Sequence, residues 1–305
     1  MPEGERIIKL ISELEAMAEY NVLLRIKALD RSRYVYTRNY SELRKLLEFY
    51  SDLEKSLQLW DRKNRDKQDA FHNEVTRLLH NFVASAKSLV DHTRTIYRSL
   101  YRSSGQFPEY QKKIDSSFTH NAVAQFVESL RNYCLHYRTP PVFSEMRYEK
   151  TPPLHVSRIK LDVDALKEFS EWKRESREYL AQQTSDIDLL DIIDEYHRLV
   201  IEFHDWFVKR QKEIHYKDIQ KVDSKKKELA ALVIPDEVKY ALADIESGSR
   251  TIVDAFAVML TPQQRAELAT IPISSPRYPE TLISFIEEWT PLDEGLKKRV
   301  RKVCK

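Results

Sequence analysis

Along most of the chain apolar residues recur every three or four positions, the spacing of helices that bury one face. From about Glu3 to Leu29 the stripe is Ile7, Leu10, Ile11, Leu14, Met17 and Ala18, continuing through Asn21 to Leu24. A second helix is predicted from Ser41 to about Arg62, with Leu43, Leu46, Leu47, Tyr50, Leu53, Leu57 and Trp60 on one side. The third, Gln68 to Tyr101, carries Phe71, Val75, Leu78, Phe82, Leu89, Ile96 and Leu100. After a turn at Ser103-Ser104-Gly105-Gln106-Phe107-Pro108 and a short helical piece comes a segment from about Asn121 to Tyr137, which Pro140-Pro141 stops. Three long helices and this fourth predict a bundle closed within residues 1–141.

The pattern then changes period. Val142 to Tyr148 and Leu154 to Val163 read as extended runs, the second alternating through Ile159-Lys160-Leu161-Asp162-Val163, so a short β-hairpin or extended arm is expected. Helical spacing returns with Leu166, Phe169, Trp172 and Tyr179. A long helix follows a cap-like Ser185 with Asp188 three residues later, and its stripe from Leu189 to Phe207 is broad enough to be buried on more than one side. Shorter helices are expected at Val222 to Val233, from Pro235 to about Ser247, and after Thr261-Pro262-Gln263-Gln264, which combines a cap, a proline and a glutamine in the order that starts a helix. The expected fold is mainly α: an N-terminal four-helix bundle (1–141), then a hairpin and further helices (142–305).

Composition agrees with that pattern, since 305 residues include only 4 glycines and 32% charged residues of both signs. The 50 basic and 48 acidic residues leave a net charge of +2, so any basic surface must be local. The one concentrated run is Leu296 to Lys305, LKKRVRKVCK, read first as a solvated helix end and second as an RNA or phosphate contact. Two cysteines, Cys134 and Cys304, are too few for a disulfide framework or zinc module, and the expected setting is the reducing cytoplasm. No apolar run approaches the roughly 20 residues that span a bilayer, so no membrane partner is expected. Phosphate loops, serine elbows and CxxC pairs are absent from the sequence, which disfavours the enzyme classes built on them.

The candidate chemistry lies in Asn121 to Tyr137. At about 100° per residue, Val123, Val127, Leu130, Cys134 and Tyr137 form an apolar stripe. Gln125, Ser129, Asn132 and His136 form a line of uncharged polar groups opposite it, expected to face away from the core. Arg131 sits on the flank, about 140° from His136. A guanidinium grips phosphate as a fork and an imidazole can shuttle a proton, which together suffice for phosphodiester chemistry without a metal.

Arg131-Asn132 followed by His136, near the end of the last bundle helix, resembles the RNxxxH signature of the HEPN superfamily, and the resemblance covers about residues 1–141. It implies a metal-independent RNA endonuclease whose two motifs meet across a homodimer interface. His136 would be the acid or base, Arg131 would hold the scissile phosphate and Asn132 would orient one of them. Gln125, Ser129 and Arg138 are the expected substrate-binding neighbours, and no metal or cofactor is expected. The resemblance also implies an RNA substrate, a toxin or phage-defence role, and an antitoxin or regulatory partner. The alternative is a non-catalytic helical interaction protein that dimerises through the same polar face.

The looser spacing of arginine and histidine also occurs at Arg65 to His72, Arg198 to His204 and Arg210 to His215, but only the Arg131 copy has the adjacent asparagine. A second constellation, Asp194, His197, His204 and Asp205, has one of the two acid-x-x-His pairs, three positions apart, that a di-metal bundle needs, so His204 is read as packing among Phe203, Trp206 and Phe207. His72, His80 and His92 are spaced too widely for a ligand set, and Cys134 is read as a small core residue.

Overall fold

A computed structural model describes residues 3–150 and 153–304 and is 76% helical with one small sheet, a mainly α protein. Its elements in order are α1 (Glu3–Ala16), α2 (Ala18–Ser51), α3 (Leu53–Trp60), α4 (Arg65–Leu100), α5 (Tyr110–Ile114) and α6 (Ala122–His136). Then come β1 (Val142–Lys150), β2 (Pro153–Leu161), α7 (Val163–Lys167), α8 (Arg174–Ala181), β3 (Ile187–Asp188) and α9 (Leu189–Ile214). The rest is α10 (Tyr216–Glu246), α11 (Ile252–Phe256), α12 (Pro262–Leu268), α13 (Arg277–Glu287) and α14 (Glu294–Val303). The chain divides into two compact units, residues 24–214, and residues up to 23 with those from 215.

In the first unit one apolar core runs from Leu29 to Phe207. Its long helices are α2, α4, α6 and α9: Tyr36 of α2 stacks on Phe82 of α4 at 5.7 Å, and Phe82 meets Tyr196 of α9 edge-on at 6.1 Å. The fourth helix of the bundle is therefore α9, from beyond Pro141, and the boundary expected there falls inside this unit. The sequence pattern left residues 30–40 without a helix because their inward positions are tyrosines. Leu29, Tyr36, Leu43, Leu47 and Tyr50 are all buried on α2, and the tyrosine rings complete the stripe. That helix stops at Asp52, whose side chain accepts from the Lys55 amide at 3.3 Å and starts α3, leaving Leu57 and Trp60 exposed. The predicted third helix corresponds to α4, and Gly105 at φ 64° turns the chain after it, its amide on the Tyr101 carbonyl at 3.0 Å.

The hairpin forms as expected, β1 against β2 from Val142 opposite Leu161 to Lys150 opposite Pro153, with β3 added along β2. Alternation puts Ile159 and Leu161 in the core while Lys160 pairs with Glu145 at 3.0 Å. Ser157 meets Ser56 at 2.9 Å and Ser144 meets His72 at 2.6 Å, so the hairpin is tied to α3 and α4. Asp188, not Ser185, caps α9, accepting from the Leu190 amide at 2.9 Å.

In the second unit, Asn21 donates to the carbonyls of Glu15 and Met17 at 3.1 and 3.0 Å, serving the end of α1 where a single helix had been predicted. Pro235, predicted to separate two helices, sits inside α10. Ala231, whose carbonyl loses its helical partner there, is exposed, so water can take that bond. Leu242, Phe256, Leu282, Ile286 and Val300 form this unit's core. The basic run belongs to α14, where Leu296, Val300 and Cys304 are buried and Lys297, Arg299 and Arg301 pair with Glu287, Glu246 and Glu280 at 2.9, 2.8 and 2.6 Å. Those basic groups are engaged within the unit. The start of α12 is the predicted one: Thr261 accepts from the Gln264 amide at 3.2 Å and Gln264 accepts from the Thr261 amide at 2.9 Å. Thr261→Ala should cost about 1 kcal/mol, read as a lower urea midpoint; an unchanged midpoint would show that the cap adds nothing.

Among the described residues no helix is long and apolar enough to cross a membrane.

Candidate functional site

Helix α6 begins where Asn121 accepts from the Ala124 amide at 2.9 Å and ends with the Tyr137 and Arg138 amides on the Tyr133 carbonyl at 3.1 and 3.2 Å. It buries two sides rather than one. Val127 and Leu130 enter the main core, while Phe126 and Tyr133, both at 0% exposure, stack on Trp172 at 5.6 Å each. That second side corrects the sequence reading of the polar line. Ser129 is buried, and the Ser176 hydroxyl of α8 bridges it and the Gln125 carbonyl at 2.8 and 2.9 Å. Gln125 is half-buried and donates to the Phe118 carbonyl at 3.0 Å. Ser129 thus holds α6 against α8, and the Gln125 amide nitrogen is engaged with Phe118. The seven-residue spacing of Phe126 and Tyr133 carried this second stripe, which a wheel with one apolar face leaves out.

Asn132 and His136, four residues apart, are both exposed on the remaining face. Arg131 donates from Nη1 to Oδ1 of Asn132 at 3.0 Å, while its Nε is buried without a partner. The guanidinium thus lies between the exposed face and the interior. His136 has no side-chain hydrogen bond or ion pair among the described residues. Arg138 is committed to structure: it donates to the Tyr133 hydroxyl at 2.6 Å and to the Ala165 carbonyl and Glu168 at 2.9 Å, with its guanidinium 5.3 Å from the Tyr137 ring. It ties the end of α6 to α7. Cys134 is half-buried, and burial pushes its thiol up to about 12, so it is no nucleophile at neutral pH.

The other copies of the arginine–histidine spacing do not present an imidazole in the same way. His72 is bound to Ser144, and His204 and His215 are buried. His92 of the third predicted helix bonds Ser32 at 2.6 Å, a packing role.

Asp194 and His197 come together with two residues the sequence reading had left outside any site, Tyr40 and Arg44. The Tyr40 hydroxyl donates to Asp194 at 2.8 Å, and Arg44 Nε lies 3.2 and 3.3 Å from its two oxygens. The His197 ring lies flat on Tyr40 at 3.5 Å, and burial pushes its imidazole down to about 4 against the pull of Asp194. His204, 1% exposed, is also pushed down to about 4, by burial first and by Arg33 second, and Arg33 pairs with Asp205. Arg33, Tyr36, Tyr40 and Arg44 follow helical spacing, which was the available signal. The group ties α2 to α9, and among the described residues no cluster of His, Cys, Asp and Glu could hold a metal ion.

Comparison of the chain with models of known families, with curated proteins and with solved structures gives no match.

Proposed function

We propose that the protein is a metal-independent RNA endonuclease of HEPN type, with a site made by Arg131, Asn132 and His136 from two copies of the chain. What supports this reading is that, of the four arginine–histidine pairs, only the α6 pair joins an exposed imidazole to an exposed asparagine that already holds the arginine. In the reaction His136 takes the proton of a ribose 2′-hydroxyl, and the 2′-oxygen attacks the adjacent phosphorus. The bond to the 5′-oxygen breaks, and that oxygen leaves with a proton donated by the protonated His136 of the second copy. The products are a 2′,3′-cyclic phosphate and a 5′-hydroxyl. Arg131 neutralises the phosphate as charge builds, and its bond to Asn132 fixes the guanidinium plane.

A two-copy site makes cleavage depend on association. Incubated with single-stranded RNA in excess chelator, the full chain should cleave, with specific activity rising with protein concentration through the range in which it dimerises. Cleavage that requires added divalent metal would contradict the proposal.

A second reading is favoured by Tyr137, 48% exposed beside His136, because aromatic residues are enriched in protein interfaces. On that reading the same face is a non-catalytic dimer contact, and the chain dimerises without cleaving RNA.

A further inference from the structure

Inside the unit of residues 24–214, helices α4, α5, α6 and α9 and the turn at 115–119 leave a cavity of about 180 Å³. Close-packed interiors seldom keep a void of this size. Its aliphatic wall includes Val83, Ala86, Val127 and Val200. An apolar cavity of about 150 Å³ holds benzene, so the volume here matches a single ring with one small substituent. A nucleotide is too large.

Four aromatic side chains also line it: Tyr110, Phe118, Tyr196 and Phe203. Phe118 and Tyr110 both meet the Phe203 ring edge-on, at 5.3 and 6.2 Å. Such a set favours a further ring, placed edge-to-face or offset, over an aliphatic body of the same size. Phe118 stands in a π-helical turn, residues 115–119. The wider i→i+5 bonding of that turn puts Ile114 and Thr119, five residues apart, on the side that lines the cavity. Turns of this kind are rare and frequently mark functional sites.

The charged groups of the lining favour a neutral ligand. Lys87 and Arg94 share Asp91 at 3.0 and 3.3 Å, Glu128 is 3.4 Å from Lys173, and Arg131 donates to Asn132 at 3.0 Å. Each charged side chain of the lining is thus held by a neighbour. An ionic ligand would give up its hydration without a free counter-charge to replace it, a cost that a hydrocarbon ring does not meet.

We propose that this cavity binds a small neutral aromatic molecule of one ring, seated among Val83, Val127, Phe118 and Phe203. This assignment does not depend on RNA cleavage, because its test reads binding alone.

The full chain is titrated with toluene, cyclohexane, benzoate and benzylammonium, each followed by amide chemical shifts. Toluene should bind saturably with a Kd on the order of 0.3 mM, and the amides that shift should include those of α6 and of residues 110–119. Cyclohexane should bind about threefold more weakly. Benzoate and benzylammonium should bind at least about tenfold more weakly. Ala86→Leu, which fills part of the cavity, should weaken toluene at least about tenfold. The proposal is overturned by no saturable toluene binding up to roughly 3 mM. It is equally overturned by cyclohexane, benzoate or benzylammonium binding as tightly as toluene. Unchanged toluene affinity in a folded Ala86→Leu chain would also overturn it. The ligand comparison on the wild-type chain decides the matter even where that variant does not fold.

Discussion

Replacing His136 by alanine is expected to reduce RNA cleavage by roughly 10²- to 10⁴-fold, the contribution of a positioned acid–base group. The fold should be untouched. His136 is exposed at the end of α6 and bonds to nothing among the described residues, so its removal should change unfolding free energy by no more than about 0.5 kcal/mol. That separation makes it a cleaner probe than Arg131, whose Nε is buried in the interior, so that its loss also disturbs packing. Arg131→Lys should rescue little, because an ammonium cannot hold both Asn132 and a phosphate as a planar fork does. Cleavage by His136→Ala at the wild-type rate, from protein free of contaminating nuclease, would remove the site assignment altogether.

The second large effect is acid sensitivity of the unit that carries the site. His197 and His204 have folded-state pKa values near 4 against about 6.5 when unfolded, both lowered chiefly by burial. Between those values the unfolded chain binds more protons, so stability is fully present above pH 6.5 and falls as pH drops toward 4. From pH 6.5 to 5 a fully buried histidine gives up about 2 kcal/mol. His204 should approach that figure, and half-buried His197 should contribute about 1 kcal/mol after solvent screening. His72, lowered by burial as well, acts in the same direction. Urea unfolding at pH 7 and pH 5 should therefore differ by about 3 kcal/mol, and the difference should shrink in a His197→Phe, His204→Leu chain. Equal stability at the two pH values would mean that these imidazoles are not held neutral by the fold.

The helices with aliphatic stripes were legible in the sequence: α4, α6 and α9, the hairpin, and the start of α12 all fall near their predicted places. What escaped was burial by residues with mixed character. Tyr36, Tyr40 and Tyr50 put α2 into the core through rings that a hydrophobicity pattern counts as half polar. Ser129 falls opposite the apolar stripe on a wheel with one buried face, yet a second serine, Ser176, satisfies it in the interior. The division into units was hidden for a different reason: Pro140-Pro141 is a strong local stop, whereas the core of residues 24–214 depends on α9, far along the chain. At the site, sequence spacing placed Asn132 with His136 and left Arg131 on the flank. It could not show that Arg131 reaches Asn132 with one nitrogen while another is buried without a partner.

The chemistry of the RNA ends separates this mechanism from any other nuclease. Wild-type chain and RNA are combined in excess chelator, and the termini of the fragments are determined by mass spectrometry. The fragments should end in 2′,3′-cyclic phosphates facing 5′-hydroxyls, formed by the wild type and reduced at least about a hundredfold in His136→Ala. Fragments ending in 3′-hydroxyls and 5′-phosphates, or intact RNA in the presence of a folded dimer, would contradict it.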